Sequence, residues 1–315
     1  MAGRAVIREL REEDAAAAAR LQIEVNPHRV VTPELVWHRA SRGIEREQRR
    51  EWVAEVGGEI RGCAFAGFEW SVPTLGKGRF LVEVHPERRG RGLGSALYAC
   101  VEEYLRSRGA WRLRTWVDDD PAGTRFLERR GFEPGRSDRV SALDLPRTGL
   151  PEPSLSEEFR IVPLAAVRER VDDLFTICAA GELDMPGDEP EETFELAGWK
   201  LDDFAPAALS YEGSFVAVAG ERPVSLTFLS VEPGRKLAYN RMTATLPGFR
   251  RRGLALAVKA AAARWAAENG IERIVTENDS ENAGMLAIND RLGYRFLYDQ
   301  TQWLLEWKRP PGERG

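Results

Sequence analysis

Histidine and cysteine are scarce, with three of each in 315 residues. Cys63, Cys100 and Cys178 lie far apart, and together with His28, His38 and His85 they show none of the paired spacings of a zinc site or a disulfide framework. No metal is expected, and small core residues are the expected role of the cysteines. A long apolar run is missing as well. The opening "MAGRAVIRELREED" is charged throughout, and the longest apolar stretch, "LALAVKAAAARWAA", is broken by Lys259 and Arg264. A soluble, cytoplasmic protein of a reducing compartment with no membrane partner is therefore expected. Nor is there an excess of positive charge: the formal net charge is −5 and the pI near 5.6, which argues against nucleic acid as a partner. Two familiar phosphate-binding patterns also fail. The Gly-Lys at 76–77 precedes another glycine, so it is not a Walker A turn, and Gly90-x-Gly92-x-Gly94 has the wrong spacing for a dinucleotide fingerprint.

What the chain does have is a duplication. Its length suits two domains, and 43% hydrophobic with 30% charged residues leaves material for two cores. "HPERRGRGLGSAL" at 85–97 and "PGFRRRGLALAV" at 247–258 each follow a strand-like run and open a helix-like one. Upstream, residues 5–21 and 159–177 both read as strand, turn and amphipathic helix, and residues 51–70 and 214–232 both read as hairpins. Downstream, "FLERRGF" and "AINDRLGY" close the pattern. The two turns are 161 positions apart and the terminal glycines, Gly131 and Gly293, 162 apart, so whole domains repeat in register. The Pro-, Ser- and Glu-rich stretch at 146–158 reads as the linker, with domains expected at 1–147 and 158–309.

A strand, an Arg-x-x-Gly-x-Gly/Ala turn and a helix place consecutive backbone N–H groups at a helix N-terminus, with small residues where a ligand must come close. Such a turn suits a phosphate-like anion. The residues are Arg89, Gly90, Arg91, Gly92, Leu93 and Gly94 in the first copy, and Arg250, Arg251, Arg252, Gly253, Leu254 and Ala255 in the second. The leucines are expected to point inward, and the arginines to add attraction for the anion. The alternative is a tight structural turn with solvated arginines, an explanation that weakens when the turn recurs in matching context.

"VEVHPERRGRGLGSAL" with "FLERRGF", and "TATLPGFRRRGLALAV" with "TENDSENAGMLAINDRLGY", resemble the central motif and fourth-helix region of the GNAT superfamily of acyl-coenzyme A-dependent N-acyltransferases. The likeness covers most of both halves, so the chain resembles a tandem GNAT protein. It implies an α/β fold of two GNAT-like domains, each a mixed, mostly antiparallel central sheet flanked by helices. It also implies acetyl-CoA as acyl donor, its pyrophosphate held by the turn amides. Val82 to Val84 and Thr243 to Thr245 would then pair through their backbones with the pantetheine arm, and Asn282 would contact the cofactor.

Direct transfer to an amine requires the neutral amine, and an ammonium with pKa about 10.4 lies roughly three units above neutral pH, a cost of about 4 kcal/mol. A general base is therefore needed. In the second copy Glu277 ends a strand five residues before Asn282, the spacing of the proposed base in some similar enzymes; the alternative is a solvated strand-end glutamate. In the first copy Glu83 is the candidate, although its alternation with Val82 and Val84 can turn it to the opposite face, and a salt-bridge role is the alternative. The family's usual acid, a tyrosine four residues before the final glycine, is replaced by Asn289 and Leu127, and Asp120 stands where the second copy has Asn282. The acidic segment "GELDMPGDEPEETFE" at 181–195, with Asp184 as candidate substrate contact, suits a small-molecule amine acceptor, and a cationic one would be drawn to it. Acetyl transfer to such an amine, with the C-terminal domain catalytic, is the expected function. Protein N-terminal or lysine acetylation and a non-catalytic CoA-binding sensor are the alternatives.

Overall fold

The computed structural model describes residues 5–71, 75–146, 148–184, 195–205 and 207–308. In chain order the elements are β1 (Val6–Glu9), α1 (Ala15–Val25), α2 (Pro33–Ser41), β2 (Arg50–Val56), β3 (Glu59–Phe68), β4 (Lys77–Val84), α3 (Leu93–Ser107), β5 (Arg112–Asp118), α4 (Pro121–Glu128) and β6 (Glu133–Asp144). The second half repeats them as β7 (Phe159–Pro163), α5 (Val171–Glu182), α6 (Leu196–Asp202), β8 (Phe215–Ala219), β9 (Arg222–Glu232), β10 (Leu237–Thr245), α7 (Leu254–Glu268), β11 (Arg273–Asp279), α8 (Ala283–Leu292) and β12 (Arg295–Glu306). The α/β fold that the resemblance implied is the one observed.

By contacts the chain divides into Met1–Arg136 with Gln300–Gly315, and Ser137–Asp299. The linker had suggested division by chain order, at 147 and 158. The compact units instead put 137–147 with the second half and 300–308 with the first. In the N-terminal unit the strand order is β1-β2-β3-β4-β5-β12, antiparallel except for the parallel pair β4–β5. In the C-terminal unit it is β6-β11-β10-β9-β8-β7, antiparallel except for β10–β11. Each unit therefore takes its last strand from the end of the other half: Ser137–Asp144 lies along β11, and Gln300–Glu306 lies along β5.

Strand alternation separates the two faces of the N-terminal sheet. Trp52, Ala54, Ala64, Ala66 and Phe80 pack with Leu97, Val101 and Leu105 of α3, and Trp303 of β12 completes that core. Cys63, on the opposite face, meets Gln22 of α1. In the C-terminal unit α7 covers one face through Leu254 and Val258. Helix α5 covers the other, crossing so close that a Cβ on Gly181 would lie 2.7 Å from the Cβ of Ala244 on β10. Cys63 and Cys178 are buried, as expected of core residues, and Cys100 is half-buried.

Among its apolar residues the α7 face of the C-terminal sheet buries a polar cluster. Lys259 of α7, 4% exposed, hydrogen-bonds Asn240 Oδ1 and lies 5.2 Å from the ring centre of Tyr294. Asn240 Nδ2 donates to Thr227 Oγ1 at 2.7 Å, and Thr227 meets Thr243 at 2.8 Å. Burial pulls Lys259 from the ordinary 10.5 down to about 7. Between these values the unfolded chain holds a proton that the folded chain does not, so stability rises with pH through that window and is lowest below it. The unfolding free energy of the C-terminal unit is expected to rise from pH 7 to 9, by at most about 1.4 kcal/mol per pH unit. In Lys259→Met that slope flattens. Denaturant unfolding followed at several pH values measures both, and identical slopes in the two proteins would contradict this account.

Candidate active site

In both units the parallel pair of the sheet diverges. Pairing of β4 with β5 stops after Arg79 and Arg114, and that of β10 with β11 after Asn240 and Thr276. A bulge between Asn240 and Met242 sets Arg241 out of register on β10; β4 runs against β3 without one. Beyond these points one edge of Leu81–Val84, and one of 241–245, has no neighbouring strand to hydrogen-bond, which leaves backbone groups available to an extended ligand.

The N-terminal divergence opens a cleft of about 620 Å³. Val82, Glu83, Val84, Arg89, Gly90, Gly92 and Gly94 line it, so the strand and the turn named from sequence come together. Leu93 turns into the core at 6% exposure, and Arg91 is exposed. Leu254 does the same in the second copy at 2%, while Arg250, Arg251, Arg252 and Gly253 are exposed and Thr243, Thr245 and Ala255 half-buried.

The two turns share one backbone path. A 3-10 turn, Pro86–Arg88 or Pro247–Phe249, leads to an extended arginine, Arg89 or Arg250. Two left-handed positions follow: Gly90 at φ +72° and Gly92 at +83°, matched by Arg251 at +62° and Gly253 at +78°. Arg251 holds without glycine a conformation that costs an L-residue about 1 kcal/mol, so the path is retained against local preference. Gly92 and Gly253 are the N-caps of α3 and α7 and carry no capping side chain, which leaves the first helical amides unsatisfied. Around the Cβ positions of Gly90 and Gly92 there is open space to at least 4 Å. These amides and this space fit a diphosphate.

The first arginine of each turn is tied back. Arg89 Nε donates to the Val84 carbonyl at 3.3 Å, and Arg250 Nε to that of Thr245 at 3.2 Å. Arg89 also pairs with Asp120 at 3.3 Å, Arg250 with Asp184, and Arg252 with Glu158 at 3.3 Å. Asp184, named from sequence as a substrate contact, thus lies against the turn. Asp188, Glu189, Glu191 and Glu192 of the same acidic segment fall outside the described residues.

Asp120 and Asn282 play the same local part. Asp120 caps α4 by accepting from Ala122 N at 2.9 Å, and Asn282 caps α8 by accepting from Met285 N at 3.1 Å. Leu127 is a core residue at 2% exposure. Asn289, also 2% exposed, donates from Nδ2 to Asn278 Oδ1 at 2.7 Å, and its own Oδ1 is buried with no hydrogen-bond partner among the described residues.

The two candidate bases differ sharply. Glu277 does not end its strand, since β11 runs on to Asp279, but it is exposed and receives a hydrogen bond from the Tyr239 phenol, which burial and this carboxylate push well above its usual range. Glu83 is 5% exposed and receives Arg29 NH1 at 2.7 Å on Oε1. Burial raises the Glu83 carboxyl above the usual carboxylate range, with Arg29 opposing. Sequence reasoning missed Arg29, Asp118 and Tyr239. Only Asp118, in the run Asp118-Asp119-Asp120 at a strand end, carried any signal.

The profile of the acetyltransferase (GNAT) family matches residues 8–132 and again 173–294. The chain belongs to that family, and it is a tandem N-acetyltransferase. A mycothiol acetyltransferase of Saccharomonospora viridis is 27% identical over 257 residues, covering 78% of this chain and 76% of the relative. Another, of Streptomyces scabiei, is 28% identical over 260 residues, covering 80% and 79%. Among solved structures, a tandem GNAT protein of the clavulanic acid biosynthesis pathway superposes with TM-score 0.73 at 18% identity over 98% of this chain and all of its own. A GCN5-related N-acetyltransferase of Sphaerobacter thermophilus gives 0.68 at 19% identity over 97% and 96%. Among the described residues no helix is long and apolar enough to cross a membrane, and no cluster of His, Cys, Asp or Glu is placed to hold a metal ion.

Proposed function

We propose that this protein transfers the acetyl group of acetyl-CoA to the amine of a small molecule, with transfer in the C-terminal domain. The observation that carries this reading is the recurrence of one strand–turn–helix path with two left-handed positions and uncapped helix amides. Acetyl-CoA, when bound, supplies an acyl group activated as a thioester. The amides opening α3 and α7 bind the diphosphate. The unpaired edges of β4 and β10 align the pantetheine arm, and a strand N–H donates to the acyl oxygen as negative charge builds there. Asn282 uses its side-chain oxygen as a cap, which leaves its amide NH₂ to donate to the cofactor arm. Glu277, exposed and partnered by a neutral phenol, accepts the acceptor's proton. Asp184 lies beside the diphosphate turn and is already paired with Arg250, so it is not given to the acceptor.

The named relatives act on mycothiol chemistry, so their amine acceptor heads the panel of small-molecule amines to be tried. Calorimetric titration tests the cofactor half. Gly94 and Ala255 occupy matching positions outside the left-handed region, and a Cβ on Gly94 would meet Val84 and Phe126 at ordinary contact distances. Leucine there fills the approach to the amides without straining the turn. Wild type is expected to take up two equivalents of acetyl-CoA, and Gly94→Leu and Ala255→Leu one each. No uptake by wild type would remove the acyltransferase reading.

A further inference from the structure

The N-terminal cleft has two halves of opposite character. On the α3 side are the turn amides and the apolar Val82, Val84 and Phe126. On the α1 side Arg29, from the loop between α1 and α2, reaches into the cleft between two of its carboxylates. NH1 lies 2.7 Å from Glu83 Oε1, and NH2 lies 3.6 Å from Asp118 Oδ2. Asp118 is further held by Asn26 Nδ2 at 2.7 Å and by Gln300 Nε2 at 2.6 Å. Behind Glu83, the Cys63 thiol stands 3.6 Å from Oε2. The third carboxylate of the cleft, Asp120, is taken by Arg89 and by the cap of α4.

An amine acceptor arrives mainly as an ammonium and needs a carboxylate to hold it and take its proton. Glu83 sits where that carboxylate would be wanted, on the strand that borders the cleft, but a guanidinium of this same chain already satisfies it. The C-terminal unit is built otherwise. The position matching Glu83 is Ala244, buried against α5, and Glu277 receives the Tyr239 phenol.

We propose that Arg29 is a built-in stand-in for the acceptor's ammonium: it fills a primary-ammonium site formed by Glu83 and Asp118 and so closes the acceptor half of the N-terminal cleft while the acyl-CoA half stays open. The acyl-CoA half of this statement rests on the function proposed above; the ammonium site does not. Arginine suits the part, since its planar fork spans two carboxylates and it keeps its charge at any physiological pH. The N-terminal domain then holds an acyl donor with no acceptor beside it.

Removing the guanidinium should uncover the site for a small cation. The experiment is calorimetric titration of the full-length chain with n-propylammonium, without acetyl-CoA, in wild type, Arg29→Gln and Arg29→Met. Glutamine keeps hydrogen-bond donors near the carboxylates and methionine keeps apolar bulk, so a folded vacated site is available even if one variant is unstable. The expected result is at least tenfold tighter binding in a folded Arg29 variant than in wild type, with the gain lost when Glu83→Gln is added. Equal affinity in wild type and variants, or a gain that survives Glu83→Gln, would overturn the proposal. Titration of the same proteins with acetyl-CoA reads the other half separately. Uptake by wild type at the N-terminal turn, abolished by Gly94→Leu, supports an open donor half. Its absence beside a positive ammonium result removes the acyl-CoA reading and leaves Arg29's role standing.

Discussion

Glu277→Gln is expected to lower kcat by about 10²- to 10³-fold while leaving the acetyl-CoA dissociation constant unchanged. The change keeps size and hydrogen bonding to Tyr239 but removes the capacity to take a proton, and an acceptor ammonium must lose its proton before it can attack. Glu277 belongs to β11, beyond the point where β11 leaves β10, and not to the turn proposed for the diphosphate. Donor affinity should therefore be untouched. Steady-state rates with a saturating amine, beside calorimetry with acetyl-CoA, separate the two effects. Unchanged kcat would dismiss Glu277 as the base. Glu83→Gln should leave kcat within a few-fold of wild type, since Arg29 already commits that carboxylate.

Removing residues 300–315 is expected to unfold the N-terminal unit and to spare the C-terminal one. The cut takes away the strand that pairs with β5 from Arg112 to Asp118, and with it Trp303, 5% exposed in the N-terminal core, and Gln300, a partner of Asp118. Loss of a buried tryptophan alone costs about 3–5 kcal/mol, and a domain's whole stability is about 5–15 kcal/mol. The lost ladder adds to that, and β5 is left as a bare edge. Hydrogen exchange measured by mass spectrometry should show protection collapsing across residues 50–118 and persisting across 159–292. Retained protection in 50–118 would mean that the first half folds without the end of the chain.

How much was legible follows the range of the interactions concerned. The two turns could be read because their chemistry is local: a left-handed N-cap needs glycine, and the helix behind it needs an inward leucine. The hairpins β2–β3 and β8–β9 were legible for the same reason. Arg29 was not, because "NPHRVVTP" has no period and no motif, and its position matters only once β4 and β5 have separated. Tyr239 was missed because it reads as an ordinary strand aromatic until its neighbour on β11 is known. The resemblance already favoured Glu277 through its spacing to Asn282, but the burial of Glu83 and its pairing with Arg29 could not be read from pattern, since both are strand glutamates.

By itself the sequence determined that this protein is a duplicated α/β chain with an arginine- and glycine-rich turn opening a helix in each half. Alternation, helical spacing and glycine placement act within a few residues and survive in any context. Only the tertiary structure decided which strand completes which sheet. "EPGRSDRVSALD" and "RFLYDQTQWLLE" are both extended, mixed strands able to lie against either parallel pair, and nothing in their own composition selects a partner. It also decided that Glu83 is buried against a cation of its own chain while Glu277 is exposed and receives a phenol. That difference arises from groups up to 54 residues apart, as Arg29 and Glu83 are, and it is set by packing rather than by any local preference.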